Sequence, residues 1–160
     1  MQVLFYRVLH HYSHYQHCPH YLLHALTELI ETKKIQRSDI HVHFYTNSQG
    51  QNIIATLAKQ HALSDVIQVH DYIPRSSILP IMHQSSILLV LTTPAKLNGT
   101  HGIMGTKFYE ILGVEKPCLC LNSDEECLAD AIQKTHAGLA ATSVEEVKTF
   151  IMEKYQEWLQ

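Results

Sequence analysis

Residues 102–113 have the sequence Gly102-Ile103-Met104-Gly105-Thr106-Lys107-Phe108-Tyr109-Glu110-Ile111-Leu112-Gly113. It opens as a glycine-containing turn and continues with helix-forming residues, so we predict a loop that enters a helix over residues 106–113, with Gly113 ending the helix. The apolar run Ile87-Leu88-Leu89-Val90-Leu91 precedes it and predicts a strand buried on both faces, at the centre of a sheet. Strand, loop and helix in this order are typical of a parallel sheet covered by helices.

The same alternation of short apolar runs and amphipathic stretches continues along the chain. We predict strands over residues 3–6, 40–45, 66–73, 87–91, 117–121 and 138–141. We predict helices over residues 20–34, after the turn at 47–50, after a cap at Ser76 or Ser77, and over 106–113, 125–136 and 143–159. The last helix begins with a capping box, Ser143 to Glu146. The sequence therefore predicts an α/β fold, a doubly wound, Rossmann-like parallel sheet of about six strands with helices on both faces.

Length and composition limit the class of protein. The 160 residues fit a single domain, and 46% hydrophobic with 17% charged residues is typical of a globular chain. The formal net charge is -3 and the basic residues are scattered, so a nucleic-acid or anionic-lipid partner is not expected. The apolar runs are far shorter than the roughly 20 residues of a membrane span, and we expect neither a transmembrane segment nor a signal peptide. Reduced core thiols of a cytoplasmic protein are expected at Cys18, Cys118, Cys120 and Cys127.

The loop before residue 106 suggests a phosphate site. Backbone N–H groups at a helix N-terminus, beside the positive end of the helix dipole, suit an anionic group. Glu110 lies one turn further into the helix, where a carboxylate can accept hydrogen bonds from a ribose diol. Spacing alone leaves an alternative, in which the glycines only form a turn.

Residues 105–121 closely resemble the segment G-x-K-[LF]-[YF]-E-Y-L-[AG]-x-G-K-P-[IV]-L-x-[LF] of the carboxyl-terminal, donor-binding domain of retaining GT-B glycosyltransferases, the glycosyl transferases group 1 type. Weaker similarities extend over nearly the whole chain. Residues 21–30 are similar to LL-x-A-[LI]-x-x-L, residues 66–74 to V-x-x-x-G-x-[VI]-P, residues 85–91 to [AS]-D-[VI]-L-L-[VL]-L, and residues 137–139 to [AC]-G-x. Only the first of these strings is specific to the family.

The resemblance implies a domain that binds a nucleoside diphosphate sugar, most simply a UDP-sugar, for hexosyl transfer to a glycan, lipid-linked or other acceptor. It places Glu110 on the ribose hydroxyls, the backbone near Gly105 and Thr106 on the diphosphate, and Ile73 with Pro74 beside the base. Arg7 and Glu110 are the donor-side catalytic candidates, and no divalent metal or other cofactor is expected to be required. The implied nucleotide-sugar site consists of Arg7, Ile73, Pro74, Gly102, Met104, Gly105, Thr106, Lys107 and Glu110.

Three departures from the family pattern affect this interpretation. Gly102 stands where many relatives have a sugar-binding glutamate, eight positions before Glu110, so sugar recognition must differ. Many relatives have a Lys or Arg pair for the phosphates, whereas this chain has Arg7 and no lysine before Lys33, which leaves the neutralisation of the phosphates in doubt. The amino-terminal acceptor-binding domain is missing, so we expect residues 1–160 to be one excised donor domain, inactive alone and acting in the cytoplasm or, through the missing half, at the inner membrane surface.

Two other functions stay open. The chain could be a separate nucleotide-binding subunit that needs a partner polypeptide, or a sugar-nucleotide epimerase-like domain, although it lacks the catalytic acids of an epimerase. His70 next to Asp71 suggests a hydrolase, but the sequence has no Gly-x-Ser-x-Gly elbow and we do not expect one. Trp158 is expected to serve the core or a docking surface.

A histidine-rich segment offers a possible metal site. His20 and His24 are one turn apart on a predicted helix and could hold a transition metal, with His14 or His17 as a third ligand. The alternative is a surface loop of biased composition. No known ligand spacing is matched by the six histidines and the cysteine, so we expect no metal at His10, His11, His14, His17, Cys18, His20 and His24.

Overall fold

A computed structural model describes residues 1–6, 19–91, 106–121 and 126–160, with only the backbone of residues 2–6 and 126. The strands are β1 (Gln2–Tyr6), β2 (His41–Tyr45), β3 (Ile67–His70), β4 (Ile87–Leu91), β5 (Cys118–Leu121) and β6 (Gly138–Ala140). The helices are α1 (His20–Glu31), α2 (Ser48–Gln60), α3 (Arg75–Gln84), α4 (Thr106–Val114), α5 (Glu126–Thr135) and α6 (Val144–Trp158). Every helix and strand predicted from the sequence is present, with ends that differ by a few residues.

The six strands form one parallel sheet in the order β3-β2-β1-β4-β5-β6. The order reverses between β1 and β4, which is the switch point where doubly wound sheets bind their ligands. The predicted doubly wound sheet is therefore confirmed. β4 lies between β1 and β5, and four of its five residues are buried, as the apolar run predicts.

Helices cover both faces of the sheet and form two cores. On one face, α1, α2 and α6 pack on Val42, Phe44 and Leu119. On the other face, α3, α4 and α5 pack on Leu88 and the two buried cysteines of β5. Full burial of one such large apolar side chain stabilises the fold by about 1.5–3 kcal/mol, so each core contributes substantially.

Two helix starts follow from local sequence. The Asn47 side chain accepts a hydrogen bond from the Gly50 N–H at 2.9 Å and caps α2. A Cβ added to Gly50 would lie 2.4 Å from the Thr46 Oγ1, so glycine allows α2 to begin directly behind β2. In α6, Ser143 accepts a hydrogen bond from the Glu146 N–H, and the Glu146 carboxylate accepts one from the Thr142 N–H. The predicted capping box of α6 is thus confirmed, and the predicted turn at 47–50 leads into α2.

The predicted start of α3 and the predicted end of α4 are wrong. α3 begins at Arg75 with Pro74 as the N-cap and no side-chain cap, so neither Ser76 nor Ser77 caps the helix. Proline is favourable there because its fixed φ suits the entry into a helix. α4 continues past Gly113 to the buried Val114, and the left-handed residue that follows it is Glu115, with φ 54°.

The cysteine prediction is correct in part. Cys118 and Cys120 are buried in the second core, and burial, followed by the neighbouring Cys120, raises the pKa of the Cys118 thiol. Cys127, however, is exposed, because Leu128 and Ile132 form the buried face of α5. The predicted core thiol at this position is therefore wrong. Cys18 lies outside the described residues.

Candidate functional site

The candidate site lies at the edge of the sheet where the strands end. α3 follows β3 and α4 follows β4, so both helices begin at this edge, and they pack against each other. The N-terminus of a helix presents backbone N–H groups and the positive end of the helix dipole. Four predicted site residues come after β1 and β4 in the sequence and lie outside the described part of the chain: Arg7, Gly102, Met104 and Gly105.

The remaining part of the site is built on α4. Phe108 and Ile111 are buried against the sheet, whereas Thr106 and Tyr109 are exposed on the other side. Glu110 and Lys107 are three residues apart, partly exposed, and therefore lie along the margin between the buried and the exposed sides of the helix. The packed helix holds the backbone of Glu110 in place, while its carboxylate remains partly exposed to solvent.

Arg75, the first residue of α3, faces Glu110. Its Nη2 lies 3.9 Å from the Glu110 Oε1, which is an ion pair too long to be a hydrogen bond. The Arg75 side chain is 93% exposed and the Glu110 side chain 38% exposed. Exposed pairs of this kind contribute little to stability, so a ligand can replace this contact at small cost.

The sequence analysis missed Arg75. The signal was present, because Arg75 directly follows Pro74, the last residue of the segment similar to V-x-x-x-G-x-[VI]-P. Its partner Glu110 could not be predicted from the sequence, because Glu110 lies on a different helix, 35 positions later. Arg75 supplies a positive charge at this edge, which matters because the sequence has few basic residues where the family places them.

Ile73 and Pro74 lie next to the ion pair of Arg75 and Glu110, because they directly precede Arg75 in the sequence. Pro74 is the N-cap of α3 and Ile73 precedes it, partly buried, with the 46% exposed Tyr72 beside it. An apolar and aromatic surface therefore adjoins the ion pair of Arg75 and Glu110. Of the predicted site residues, the structure brings Ile73, Pro74, Thr106, Lys107 and Glu110 to one edge of the sheet.

The other candidates from the sequence have different neighbours. His70 Nε2 lies 3.0 Å from His43 Nδ1, and the Asp71 carboxylate accepts a hydrogen bond from the Gln51 side chain at 2.7 Å. These contacts direct His70 and Asp71 to different residues, which does not favour a catalytic pair.

The histidine-rich segment is described only in part. His20 and His24 lie on α1, and the His24 ring meets the His61 ring at 4.7 Å in a T-shaped contact. The other members lie outside the described residues: His10, His11, His14, His17 and Cys18. Within the described ranges, no group of three or more His, Cys, Asp or Glu residues is placed to hold a metal ion.

Trp158 lies at the opposite edge, where the strands begin. It is 47% exposed and stacks on Tyr155, whose hydroxyl donates a hydrogen bond to the Asp39 carboxylate at 2.6 Å. This hydrogen bond lowers the pKa of Asp39 and raises the pKa of Tyr155. A cleft of about 440 Å³ lies between Trp158, Met1, Ser38, Asp39, His41, Gln84 and Ser86.

Comparison with solved structures identifies the fold. The structure is similar to WaaG, a glycosyltransferase involved in lipopolysaccharide biosynthesis, with a TM-score of 0.67 and 14% identity over 97% of this chain and 38% of that chain. It is also similar to WaaB, a lipopolysaccharide outer core galactosyltransferase, with a TM-score of 0.60 and 10% identity over 99% of this chain and 41% of that chain. A third similar structure is GtfA, a pneumococcal O-GlcNAc transferase solved with UDP and GlcNAc, with a TM-score of 0.52 and 13% identity over 99% of this chain and 35% of that chain.

The comparisons identify the fold of the chain and do not assign it to a family. No protein-family model and no curated protein matches the sequence. The chain spans about two fifths of the length of the glycosyltransferases that it resembles. None of the helices in the described parts of the chain has both the length and the apolar character of a membrane span. The resemblance to GT-B glycosyltransferases is therefore confirmed at the level of fold: the chain has the Rossmann-like fold of one part of these enzymes.

Proposed function

We propose that this domain binds a nucleoside diphosphate sugar and is the donor-binding half of a hexosyl-transferring glycosyltransferase. The observation that carries the proposal is the position of Glu110, on the margin of α4 at the carboxyl edge of the sheet, beside Arg75. The acceptor, a glycan, a lipid-linked sugar or another molecule, would bind to a second domain. Transfer would need both halves.

Each group at the edge has a role that its chemistry suits. The Glu110 carboxylate accepts hydrogen bonds from the ribose hydroxyls, and Ile73 with Pro74 supplies an apolar surface for the base. The start of α4 at Thr106 offers backbone N–H groups to the diphosphate. Lys107 and Arg75 add positive charge near it.

Charge stabilisation is the expected contribution to catalysis. Breaking the bond between the sugar and the diphosphate leaves negative charge on the leaving group, and prearranged dipoles and cations stabilise that charge in the transition state. In this proposal the helix α4 dipole, Arg75 and Arg7 carry out this task, without a divalent metal. Arg75 thereby adds positive charge in place of the Lys or Arg pair that many relatives have for the phosphates.

UDP is the first nucleotide to test. GtfA, which shares this fold, was solved in complex with UDP and GlcNAc. The family resemblance of residues 105–121 points to the same donor class, in which UDP-sugars are frequent. GDP and ADP are the alternatives, because backbone contacts to a diphosphate are the same for each base and do not distinguish the three nucleotides.

The test is a calorimetric titration of the chain with UDP, GDP and ADP, first without metal and then with magnesium. We expect weak, saturable binding of one diphosphate and a loss of about 10- to 150-fold in affinity for Glu110→Gln, from about 1.5–3 kcal/mol for charged hydrogen bonds. Glu115→Gln is the matched control, because Glu115 is an exposed glutamate just beyond the same helix. Absence of binding to all three diphosphates at millimolar concentration would refute the proposal.

A further inference from the structure

The cleft at the amino-terminal edge of the sheet is a second place where the fold gathers polar side chains. Met1 precedes β1, His41 begins β2 and Ser86 precedes β4, and all three residues line the cleft. Because the strands run parallel, this edge lies opposite the edge that carries Glu110. The cleft has a volume of about 440 Å³, and small-molecule sites typically have about 300–1,000 Å³. It is therefore large enough for a ligand of its own.

One wall of the cleft is the only tryptophan of the chain, Trp158. The residue is 47% exposed, and its ring stacks on the Tyr155 ring with centroids 6.0 Å apart and planes 21° apart. Tyr155 belongs to the first core, and its hydroxyl donates a hydrogen bond to the Asp39 carboxylate and accepts one from the Gln36 N–H at 3.3 Å. This anchored tyrosine restricts the indole ring. Trp158 thus presents a flat apolar surface that loses little conformational entropy when a ligand covers it.

The other walls of the cleft bear hydrogen-bonding groups. The Asp39 Oδ1 accepts a hydrogen bond from the Ser38 hydroxyl at 3.1 Å, and its Oδ2 accepts one from Tyr155 at 2.6 Å. The Tyr155 hydrogen bond lowers the pKa of Asp39, so the carboxylate is ionised at neutral pH, and each oxygen can accept a further hydrogen bond. Gln84 adds an exposed amide, which can both donate and accept.

This combination of groups distinguishes between classes of ligand. Among the described residues that line the cleft there is no lysine or arginine, so no side-chain cation of this kind awaits a phosphate. An entirely apolar ligand would cover the polar walls without replacing their hydrogen bonds to water, which is costly. A pyranose ring matches both kinds of surface, because C–H groups lie on its faces and hydroxyl groups, each a donor and an acceptor, lie around its rim.

We propose that this cleft binds a saccharide, with one pyranose face on Trp158 and with hydroxyl groups hydrogen-bonded to Asp39 and Gln84. A sugar held there lies across the sheet from Glu110 and leaves the proposed donor site unoccupied. The inference rests on the cleft alone and does not depend on the donor-binding function. A single aromatic platform and a few hydrogen bonds give weak binding, so we expect a dissociation constant in the millimolar range.

The test uses the fluorescence of Trp158, which reports on this cleft because the chain has no other tryptophan. Lactose, cellobiose and N,N′-diacetylchitobiose are titrated into the full chain, with excitation where tyrosine does not absorb. A pyranose face that displaces water from the indole should shift its emission to shorter wavelength in a saturable manner and protect it from quenching by acrylamide. We expect both effects for at least one disaccharide and neither for glycerol at equal concentration.

Three variants locate the binding. Trp158→Ala should lose about tenfold or more in affinity, measured by saturation-transfer NMR on the disaccharide because this variant lacks the fluorophore. Gln84→Ala should lose about 2- to 10-fold, the range for one neutral hydrogen bond. Leu159→Ala is the matched control, because Leu159 is the adjacent exposed apolar residue and does not line the cleft. It should bind like the wild type.

Saturating UDP separates this site from the proposed donor site, and disaccharide binding should persist in its presence. The proposal is overturned if no disaccharide changes the Trp158 emission up to its solubility limit, or if Trp158→Ala binds as well as the wild type. It is also overturned if UDP abolishes the binding, which would place the sugar at the donor site. Failure of UDP itself to bind would contradict the donor function and would leave the disaccharide titration as a separate result.

Discussion

Gly138 provides a test of the strand pairing between β5 and β6. Its φ is +152°, a conformation that residues with a side chain rarely adopt. A Cβ at this position would lie 1.9 Å from the carbonyl oxygen of Cys118, a backbone atom in a buried strand. Because that oxygen cannot move aside without moving β5, the substitution Gly138→Ala must displace β6 itself.

The size of the effect follows from the contacts that would be strained. The backbone conformation costs about 1–3 kcal/mol for a residue other than glycine. Two backbone hydrogen bonds flank the site, Cys118 N–H to Ala137 at 2.7 Å and Ala141 N–H to Cys120 at 2.8 Å, and each contributes about 0.5–1.5 kcal/mol. We therefore expect Gly138→Ala to lower the free energy of unfolding by about 2–6 kcal/mol.

Urea unfolding followed by circular dichroism measures this change. At this chain length each kcal/mol corresponds to roughly 2–4 °C in Tm, so a thermal scan gives an independent check. The control is Gly113→Ala, because nothing lies within 4 Å of a Cβ at Gly113 and alanine is about 0.5–1 kcal/mol better than glycine in a helix. Unchanged stability of Gly138→Ala, or an equal loss for Gly113→Ala, would refute the register of β5 and β6.

Three further predictions concern a helix end, a helix cap and the candidate site. Ala62 follows α2 with φ 53°, so Ala62→Gly should relieve strain and raise the unfolding free energy by up to about 1 kcal/mol, and a decrease in urea unfolding would contradict this. The Thr142 N–H hydrogen bond lowers the pKa of Glu146 below its ordinary 4.5, so its stabilisation exists above pH 4.5 and is lost as the pH falls through the lowered pKa. Glu146→Gln should therefore lower Tm at neutral pH but not in acid, and an equal difference at both pH values would contradict the cap. Arg75→Gln should weaken UDP binding and leave uridine binding unchanged, and equal losses for both ligands would exclude a phosphate contact.

The architecture could be predicted because it follows from patterns within single segments. The run at residues 87–91 is apolar throughout, and a strand of that kind is stable only where both faces are covered, which places it at the centre of a parallel sheet. Ser143 predicts a helix start by the same local logic, since its side chain caps a helix that begins at the next residue.

Features that depend on packing between segments could not be predicted in this way. Gly113 suggests a helix end, but burial of Val114 extends α4 by a residue and leaves Glu115 in the left-handed conformation. Cysteine is often buried in a core, but Cys127 is exposed because Leu128 and Ile132 set the orientation of α5.

The same limit applies to the candidate site. The position of Glu110 on a helix was predictable from residues 105–121, whereas its contact with Arg75 depends on the packing of α3 against α4. The pairing of His43 with His70 likewise requires the register of β2 and β3, which an alternating strand does not specify alone.

The central claim is that the Glu110 carboxylate holds the ribose of a bound nucleoside diphosphate. The most direct measurement is a double-mutant cycle in which UDP and 2′-deoxy-UDP are titrated into the wild type and into Glu110→Gln. If the carboxylate contacts the 2′-hydroxyl, the loss of affinity caused by the deoxy sugar should be large in the wild type and should shrink in the variant, because Glu110→Gln weakens the same interaction that the deoxy sugar removes. Equal deoxy losses in both proteins would show that Glu110 does not hold this hydroxyl and would contradict the account.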